Sequence, residues 1–420
     1  MSGRSYSADA NIQGHERVQS MEPLLELARR RGFVYPCSDI YGGMANTYDF
    51  GPLGSQLRAN LRRLWWRDMV RCRPDTVGLE SAVIMHPAVW RAAGHVENFS
   101  DPMVDCRACK SRLRTDHLPA GCGCPACGAP ASALTEPRDF NLLFRTHVGP
   151  TNDSGTEAYL RPETAQGIFV HFANIVASSR TAKLPLGVGQ IGKAFRNEIS
   201  PGQFLFRTRE FEQMELEYFV DPAESADWYR FWVAEAHRWL QQVVGLSPTS
   251  LRLEEHAPED LAHYALATTD IEFDYPSFGW GELWGIANRG SYDLEQHAAA
   301  SGATSLNMDG LGPGGKGKGI PHVIEPSVGL DRLMLAVLAD GYRVERGGEG
   351  EERVVLRLAA DVAPVRAAVL PLKSNHAEQV ELATQLQASL AVRSLRQSVC
   401  LNLPFAADRV CYPSFTARAA

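Results

Sequence analysis

The sequence predicts an α+β fold: a mostly antiparallel sheet flanked by helices, with a cysteine-bearing insertion and a partial α/β unit towards the C-terminal end. Three observations carry that prediction. Between Ile191 and Val220 the string IGKAFRNEISPGQFLFRTREFEQMELEYFV reads as two strands joined by a loop, with Pro201-Gly202 marking a turn. Over Gly54 to Val70, Leu57, Leu61, Leu64 and Trp65 recur at helical spacing and give one apolar stripe. Five cysteines crowd into DCRACKSRLRTDHLPAGCGCPACGAP, a stretch unlike the patterned segments on either side.

The elements follow in order. Residues 1–20 are polar, lack the apolar core of a signal peptide, and are expected to be a disordered extension. Glu22 to Arg31 should form a short amphipathic helix with Leu24, Leu25, Leu27 and Ala28 inward, stopped by Gly32. After the helix of Gly54 to Val70, TVGLESAVIM reads as a strand that ends at Pro87. Asp101 to Pro137 reads as an insertion between elements of the main sheet, and Ala223 to Val244 as a helix. In IEFDYPSFGWGELWGIAN, strict alternation would place Trp280, Glu282, Trp284 and Ile286 on one face. Gly310, Gly312, Gly314, Gly315, Gly317 and Gly319, with Lys316 and Lys318, form a glycine-rich stretch. It lacks both the preceding strand and the Lys-Ser/Thr ending of a phosphate loop, and reads as a flexible connection. A strand, turn and helix then follow, with Ser327 as cap and Leu330, Leu333, Met334, Val337 and Leu338 as the helical stripe. The domain division is an extension at 1–20, a main domain at 21–345 with its insertion at 101–137, and a C-terminal unit at 353–420.

Hydrophobic content of 45% and charged content of 22% are those of a globular protein. No run of about 18 apolar residues occurs, so no membrane span is expected. A net charge of −7 argues against a binder that works through overall positive charge, and leaves room for a local basic surface. Without a secretion signal the cysteines are expected to be reduced, in a cytoplasmic protein, and paired CxxC strings at short separation then point to zinc. The expected ligands are Cys106, Cys109, Cys124 and Cys127, with Cys122 as the spare or a substitute for Cys124. Four thiolates close the coordination shell, so the metal would be structural.

The hairpin carries chemistry. Residues two apart share a strand face, so Arg196 and Glu198 are expected to project together from the first strand. Phe211, Gln213, Glu215 and Glu217 share one face of the second, with Met214, Leu216 and Tyr218 on the other. A plain solvated face would not hold Phe211 among charges. Arg207 and Arg209 add forks suited to polyphosphate, while the ring suits a base and the carboxylates an amine.

FRNE followed by RTREF resembles motif 2 of the class II aminoacyl-tRNA synthetases, and EPSVGLDR from Glu325 to Arg332 resembles their motif 3. The long helix feeding a strand that ends at proline resembles motif 1, which builds the dimer interface. The strings YGGMANTYDFGPLG, RPETAQGIFV, FEQMELEYFV, GELWGIANRG and HVIEPSVGLDR are similar to those of glycyl-tRNA synthetases of the homodimeric kind, over about Arg31 to Leu370. The resemblance implies a class II synthetase-like sheet, ATP and magnesium, glycine and the acceptor end of a tRNA as substrates, and a homodimer. Such chemistry needs positioning and charge neutralisation more than a nucleophile.

By resemblance, Arg196, Glu282 and Arg332 would be the catalytic residues. Arg196 would neutralise the α-phosphate, Phe211 would stack on adenine with Arg332 on its other side, and Glu198 would accept from the adenine amine. Arg207 and Arg332 would hold the γ-phosphate, and Glu282 would share magnesium with the phosphates. Asn197, Phe206, Leu283 and Gly329 complete the expected ATP site. The expected glycine site comprises Arg114, Glu163, Phe211, Gln213, Glu215, Glu325 and Ser327, with Ser327 near where a Cβ would project. Glycine has no side chain to grasp, so such a site must hold its ammonium and exclude anything larger.

Two departures accompany the likeness. VAPVRAAVLPL and HAEQVELATQLQASL resemble the first strand and first helix of an anticodon-binding domain, but beyond about Ala391 the likeness fails. A shortened, divergent C-terminal domain is therefore expected. Ser291 stands where the family usually has aspartate. These departures leave two other readings, a paralogue supplying activated glycine to a specialised pathway and a non-catalytic zinc-bearing binding protein. Complete motifs 2 and 3 weigh against the second.

Overall fold

A computed structural model describes residues 18–115, 118–119, 121–149, 157–178, 183–198, 203–303, 306–309, 311, 317–346, 352–392 and 399–401. Seven strands build the central sheet. In chain order they are β1 (Thr76–Gly78), β2 (Leu186–Phe195), β3 (Glu210–Val220), β4 (Leu251–Glu255), β5 (Ala267–Tyr275), β6 (Gly279–Gly290) and β7 (His322–Gly329). Their spatial order is β4-β5-β6-β7-β3-β2-β1, and every pairing is antiparallel except β1 with β2. The helices used below are α1 (Met21–Arg30), α2 (Pro52–Trp66), α3 (Ser225–Trp239), α4 (Tyr292–Ser301), α5 (Leu330–Gly341) and α6 (Ala377–Val392).

Alternation along β3 sorts its side chains between two environments. Met214, Leu216 and Tyr218 join Ile271, Phe273, Trp284, Ile286 and Val328 in one core, closed by Leu57, Leu61, Leu64 and Trp65 of α2, Trp232 and Trp239 of α3, and the apolar residues of α5. Burying each large apolar side chain contributes about 1.5–3 kcal/mol, so this layer supplies most of what holds the domain together. At Gly54 the first turn of α2 passes so close to the chain after α1 that a Cβ would meet the Phe33 carbonyl oxygen at 1.9 Å. On the opposite face Phe219, Val188 and Val323 pack with Phe169, Phe172 and Leu294. Further along that same face Gln213, Glu215 and Glu217 take the place of apolar residues, and there the site lies.

Several expectations need correction. TVGLESAVIM is two strands, β1 in the main sheet and Ile84–Met85 in a separate three-stranded sheet. Leu25 is exposed, since α1 buries Met21, Leu24, Leu27 and Ala28 instead. The first hairpin strand stops at Phe195, so Arg196 and Glu198 lie beyond it rather than on its face. In β6 the register slips, pairing Ile271 with Trp284 but Glu272 with Glu282, so Leu283 is the extra residue of a bulge. The predicted common face is therefore broken: Trp284 and Ile286 enter the core with Leu283, while Glu282 turns to the site with Gly285, Ala287 and Arg289. Ser327 caps no helix; it sits within β7, and Gly329 is the residue before α5. That helix is buried almost all round, not along one stripe.

The insertion begins and ends in its own three-stranded sheet, with Ser100–Asp105 between Arg112–Arg114 and Arg138–Asn141. Of the glycine-rich stretch only Gly317, Lys318 and Gly319 are described, Lys318–Gly319 pairing with Met308–Asp309. Pro201-Gly202, the other glycines there, Lys316, most of the N-terminal extension and residues 402–420 lie outside the described residues. Near the C-terminal end Ala367–Val369 pairs in parallel with Val399–Leu401 through α6, a β-α-β unit that includes the expected strand and helix. Among the described residues no helix is long and apolar enough to cross a membrane.

Candidate active site

Two cavities open on the polar face of the sheet, one against the loop after β2 and the start of α5, the other over β3, β6 and β7. Arg196, Glu198, Phe206, Arg207, Phe211, Glu282, Leu283, Gly329 and Arg332 all line the first. Glu163, Gln213, Glu215, Glu325 and Ser327 line the second, with Arg289, Tyr264, His256 and Asp270. Four residues, Arg196, Gln213, Glu282 and Ser327, line both, so the cavities are neighbouring halves of one site.

In the first cavity Arg332 donates through Nε to the Phe206 carbonyl at 3.0 Å and through Nη1 to the Glu282 carboxylate at 2.8 Å. Its guanidinium lies 4.3 Å from the centre of the Phe206 ring. Arg332 holds the Glu282 carboxyl below its ordinary value, against burial. Arg196 donates to the Pro162 carbonyl at 3.1 Å and stands 5.3 Å from the Phe211 ring. A base on Phe211 would thus meet Arg196 beside it, while Arg332 rests on a different ring, that of Phe206. Asn197 donates its backbone N–H to Leu142 at 2.8 Å and is not among the lining residues.

The second cavity is floored by carboxylates. Glu215 accepts from the Thr164 N–H at 3.0 Å, the Thr164 hydroxyl, Gln213 Nε2 at 3.0 Å and the Ser327 hydroxyl at 2.7 Å. Glu163 sits 3.3 Å from His95 Nε2 and accepts from Gln166 at 3.0 Å. Burial pushes the Glu163 carboxyl up, but His95, Arg289 and Gln166 outweigh it and hold the group below its ordinary value. Arg289, fully enclosed, grips Asp293 with two nitrogens at 2.7 and 2.9 Å and Glu325 with a third at 2.9 Å, over the Tyr264 ring at 3.9 Å. Even so, burial lifts Glu325 to about 8, against the pull of Arg289 and with help from Glu215 and Glu163. A pocket so short of positive charge suits a small cation such as a primary ammonium.

Arg114 lines neither cavity; it pairs with Asp101 at 2.9 Å within the insertion sheet. Ser291 donates to Glu295 at 2.6 Å, away from the site, and Asp293 is the acid that meets Arg289. Sequence reasoning missed Arg289, Asp293, Thr164, Gln166 and His95. Arg289 and Gln166 stand in strings already singled out, GELWGIANRG and RPETAQG, and the period-two step from Gly285 reaches Arg289 once the bulge is known. His95 gave no signal, because only the fold brings it to Glu163.

Cys106, Cys109, Cys124 and Cys127 converge, all sulfurs within 4.8 Å of one another, while Cys122 is left outside. Cys106 and Cys127 are 3.7 Å apart and Cys109 and Cys124 3.6 Å. A disulfide needs about 2.05 Å, whereas thiolates about 2.3 Å from a tetrahedral zinc lie roughly 3.8 Å apart. The donor set fits that metal.

Residues 144–340 match the class II core domain of the tRNA synthetases for G, H, P, S and T. A glycine–tRNA ligase of Caldanaerobacter subterraneus subsp. tengcongensis is 50% identical over 383 residues, spanning 85% of this chain and 81% of that one. Those of Alkaliphilus metalliredigens and Bacillus anthracis are each 46% identical, spanning 86% and 89% of this chain and 82% and 85% of theirs. Among solved structures, the prolyl-tRNA synthetase of Cryptosporidium parvum complexed with L-proline and AMP superposes with a TM-score of 0.59 at 12% identity. The match covers 90% of this chain and 62% of that one, and at this identity it shows the fold alone.

Proposed function

The chain belongs to the glycine–tRNA ligase family of the class II tRNA synthetases, and on that premise we propose that it activates glycine with ATP and transfers it to the 3′ end of glycine tRNA. The observation that carries the reading is the shared wall: Arg196, Gln213, Glu282 and Ser327 face both cavities. A carboxylate held in one half and an α-phosphate held in the other meet at that wall, beside Arg196. Attack forms the O–P bond of glycyl-adenylate and releases pyrophosphate; Arg196 and Arg207 stabilise the charge that moves onto the phosphate oxygens. Phe211 and Phe206 give the base and its ribose apolar surfaces, and Glu198 accepts from the base's amine. Glu163, Glu215 and Glu325 hold the ammonium, and Ser327, fixed to Glu215, blocks larger side chains. The outer part of the second cavity, lined by His256, Asp260 and Ala262, remains open for the terminal ribose of the tRNA.

Glu282 would hold magnesium, which supplies neutralisation of the polyphosphate charge. The donor chemistry fits a hard cation: the Glu282 carboxylate lines both cavities and that of Asp270 approaches it beside Gly285, the two paired here with Arg332 and His256. Cys106, Cys109, Cys124 and Cys127 would hold a structural zinc. Residues 21–345 form the catalytic domain with its insertion at 101–137, and the β-α-β unit around α6 begins the part that approaches the tRNA. The enzyme works in the cytoplasm as a homodimer, a reading supported by Ile40, Tyr41 and Met44, which one loop leaves exposed. A role confined to binding is not favoured, since all three proposed catalytic residues face one cavity.

The test is glycine-dependent exchange of pyrophosphate into ATP, followed by charging of glycine tRNA and of the same tRNA with an altered anticodon. Exchange with glycine far above exchange with alanine, and charging of the cognate tRNA, are expected. Absence of exchange would overturn the activation reading.

A further inference from the structure

Glu217 is the acid that the activation chemistry leaves unexplained. It lies two residues after Glu215 on the same face of β3, and it is fully buried. Both of its carboxylate oxygens lack a hydrogen-bond partner among the described residues. Yet each of Glu215, Glu217 and Glu325 offers an oxygen within 4.8 Å of the other two. An isolated buried carboxylate is among the costliest groups a protein can hold, so an acid in this setting stays neutral unless a cation joins it.

The groups around it show where compensation is missing. From its own strand comes Glu215, which accepts four hydrogen bonds, yet burial and the charge of Glu163 still push its carboxyl up. β7 contributes Glu325, which shares Arg289 of β6 with Asp293 of α4. Farther out, Glu163 is matched by His95. One guanidinium therefore serves two acids, Glu325 and Asp293, and among the described residues no cation touches Glu217.

Resting on the proposed glycine activation, we infer that Glu325, which lines the second cavity, and Glu217, buried next to it, share a proton until the substrate's ammonium enters and displaces it. One positive charge replaces another: the protonated pair plus the glycine zwitterion gives bound glycine and a proton delivered to solvent. No bond of glycine changes in this step. Glu217 is thus a specificity-determining residue, because only a ligand carrying a compact cation can take the proton's place. Neutral isosteres of glycine bring no cation, so the acid pair would keep its proton and the ligand would gain no ion pair. The directions of titration agree, with burial first and then the charge of Glu325 pushing Glu217 well above the ordinary carboxylate range.

Calorimetry of glycine binding to the full chain, repeated at pH 7.5 in buffers of different ionisation enthalpy, counts the proton directly. Release of between about half and one proton per glycine is expected, with affinity for glycine rising as pH rises, by up to about tenfold per unit near the pair's titration. In Glu217→Gln the release should fall clearly below the wild-type count and the pH dependence of the glycine KM should become shallower, while kcat for pyrophosphate exchange changes far less. Such a split separates a role in binding from a role in folding alone, which would not move a proton count. No release from the wild-type protein, or equal release from Glu217→Gln, would overturn the inference while leaving glycine activation standing. Failure of glycine to bind at all, together with no exchange, would overturn both.

Discussion

At the scale of single residues the site is governed by who satisfies whom. Arg289 is the pivot, since its nitrogens are divided between Asp293 and Glu325 and the residue is enclosed. Removing one partner of a buried ion pair costs about 3–5 kcal/mol because the remaining charges stay buried and unpaired. Arg289→Ala should therefore lower unfolding stability by that amount, read by chemical denaturation, and abolish measurable glycine-dependent exchange. Ser327 has a narrower role: its hydroxyl donates to Glu215 at 2.7 Å. A hydrogen bond to a charged group contributes about 1.5–3 kcal/mol, so Ser327→Ala should reduce kcat/KM for glycine by roughly 10- to 150-fold. The same change opens space where a Cβ would project, so exchange supported by alanine should fall less than exchange supported by glycine. An equal loss for both amino acids would show that Ser327 does not set size selectivity.

At the scale of elements, much was legible and the failures share a cause. The α2 stripe, the helical α3 and the two faces of β3 follow from period alone, because each keeps one regular repeat over most of its length, and only the last turns of the two helices widen, at Arg67–Arg71 and Leu240–Val244. β6 does not. Its bulge at Leu283 breaks the alternation, and no local feature of GWGELWGIAN announces it. The bulge lets one strand bury Trp284 and Ile286 while still presenting Glu282 to the cavity, which strict alternation forbids. Deleting Leu283 should thus force Glu282 or the apolar pair onto the wrong face and eliminate exchange. Leu283→Ala, which keeps the bulge but removes volume from both the core and the wall of the first cavity, should lose about 2–3 kcal/mol of stability and weaken ATP binding, while exchange remains measurable at saturating ATP. The insertion behaves as its spacing suggested, four sulfurs meeting and Cys122 standing aside. Since its strands pair among the described residues only with one another, removing zinc should unsettle the insertion and spare the seven-stranded sheet. Metal analysis should find about one zinc per chain, lost in Cys106→Ser, and limited proteolysis of that variant should cut first between residues 106 and 127.

At the scale of the whole molecule, contacts distant in sequence tie the three motifs into one body, and none of these was legible. Arg58 of α2 bonds Glu212 of β3 at 2.9 Å and pairs with Asp331 of α5, while Arg62 joins Glu212 at 2.7 Å. Side chains from positions 58, 212 and 331 meet only because the sheet is already assembled, so no window of sequence contains the signal. The same assembly encloses acids in numbers that couple stability to pH. Glu325 titrates near 8 in the folded chain, well above the ordinary carboxylate value of 4.5. The folded state therefore holds a proton that the unfolded chain has lost, and its contribution is complete below the unfolded value and disappears as pH rises through 8. Asp270, lifted to about 6, acts with the same sign over a lower window. Glu163, held below its ordinary value, acts oppositely and matters only in acid. Between pH 6 and 9 the unliganded protein should consequently lose a few degrees of thermal midpoint. Glycine brings the missing cation, so the shift it produces at saturation should be larger at pH 8.5 than at pH 6.5. A glycine-induced shift that is the same at both values, or larger in acid, would mean that the charge shortage around Glu325 is relieved by something other than the ligand's ammonium.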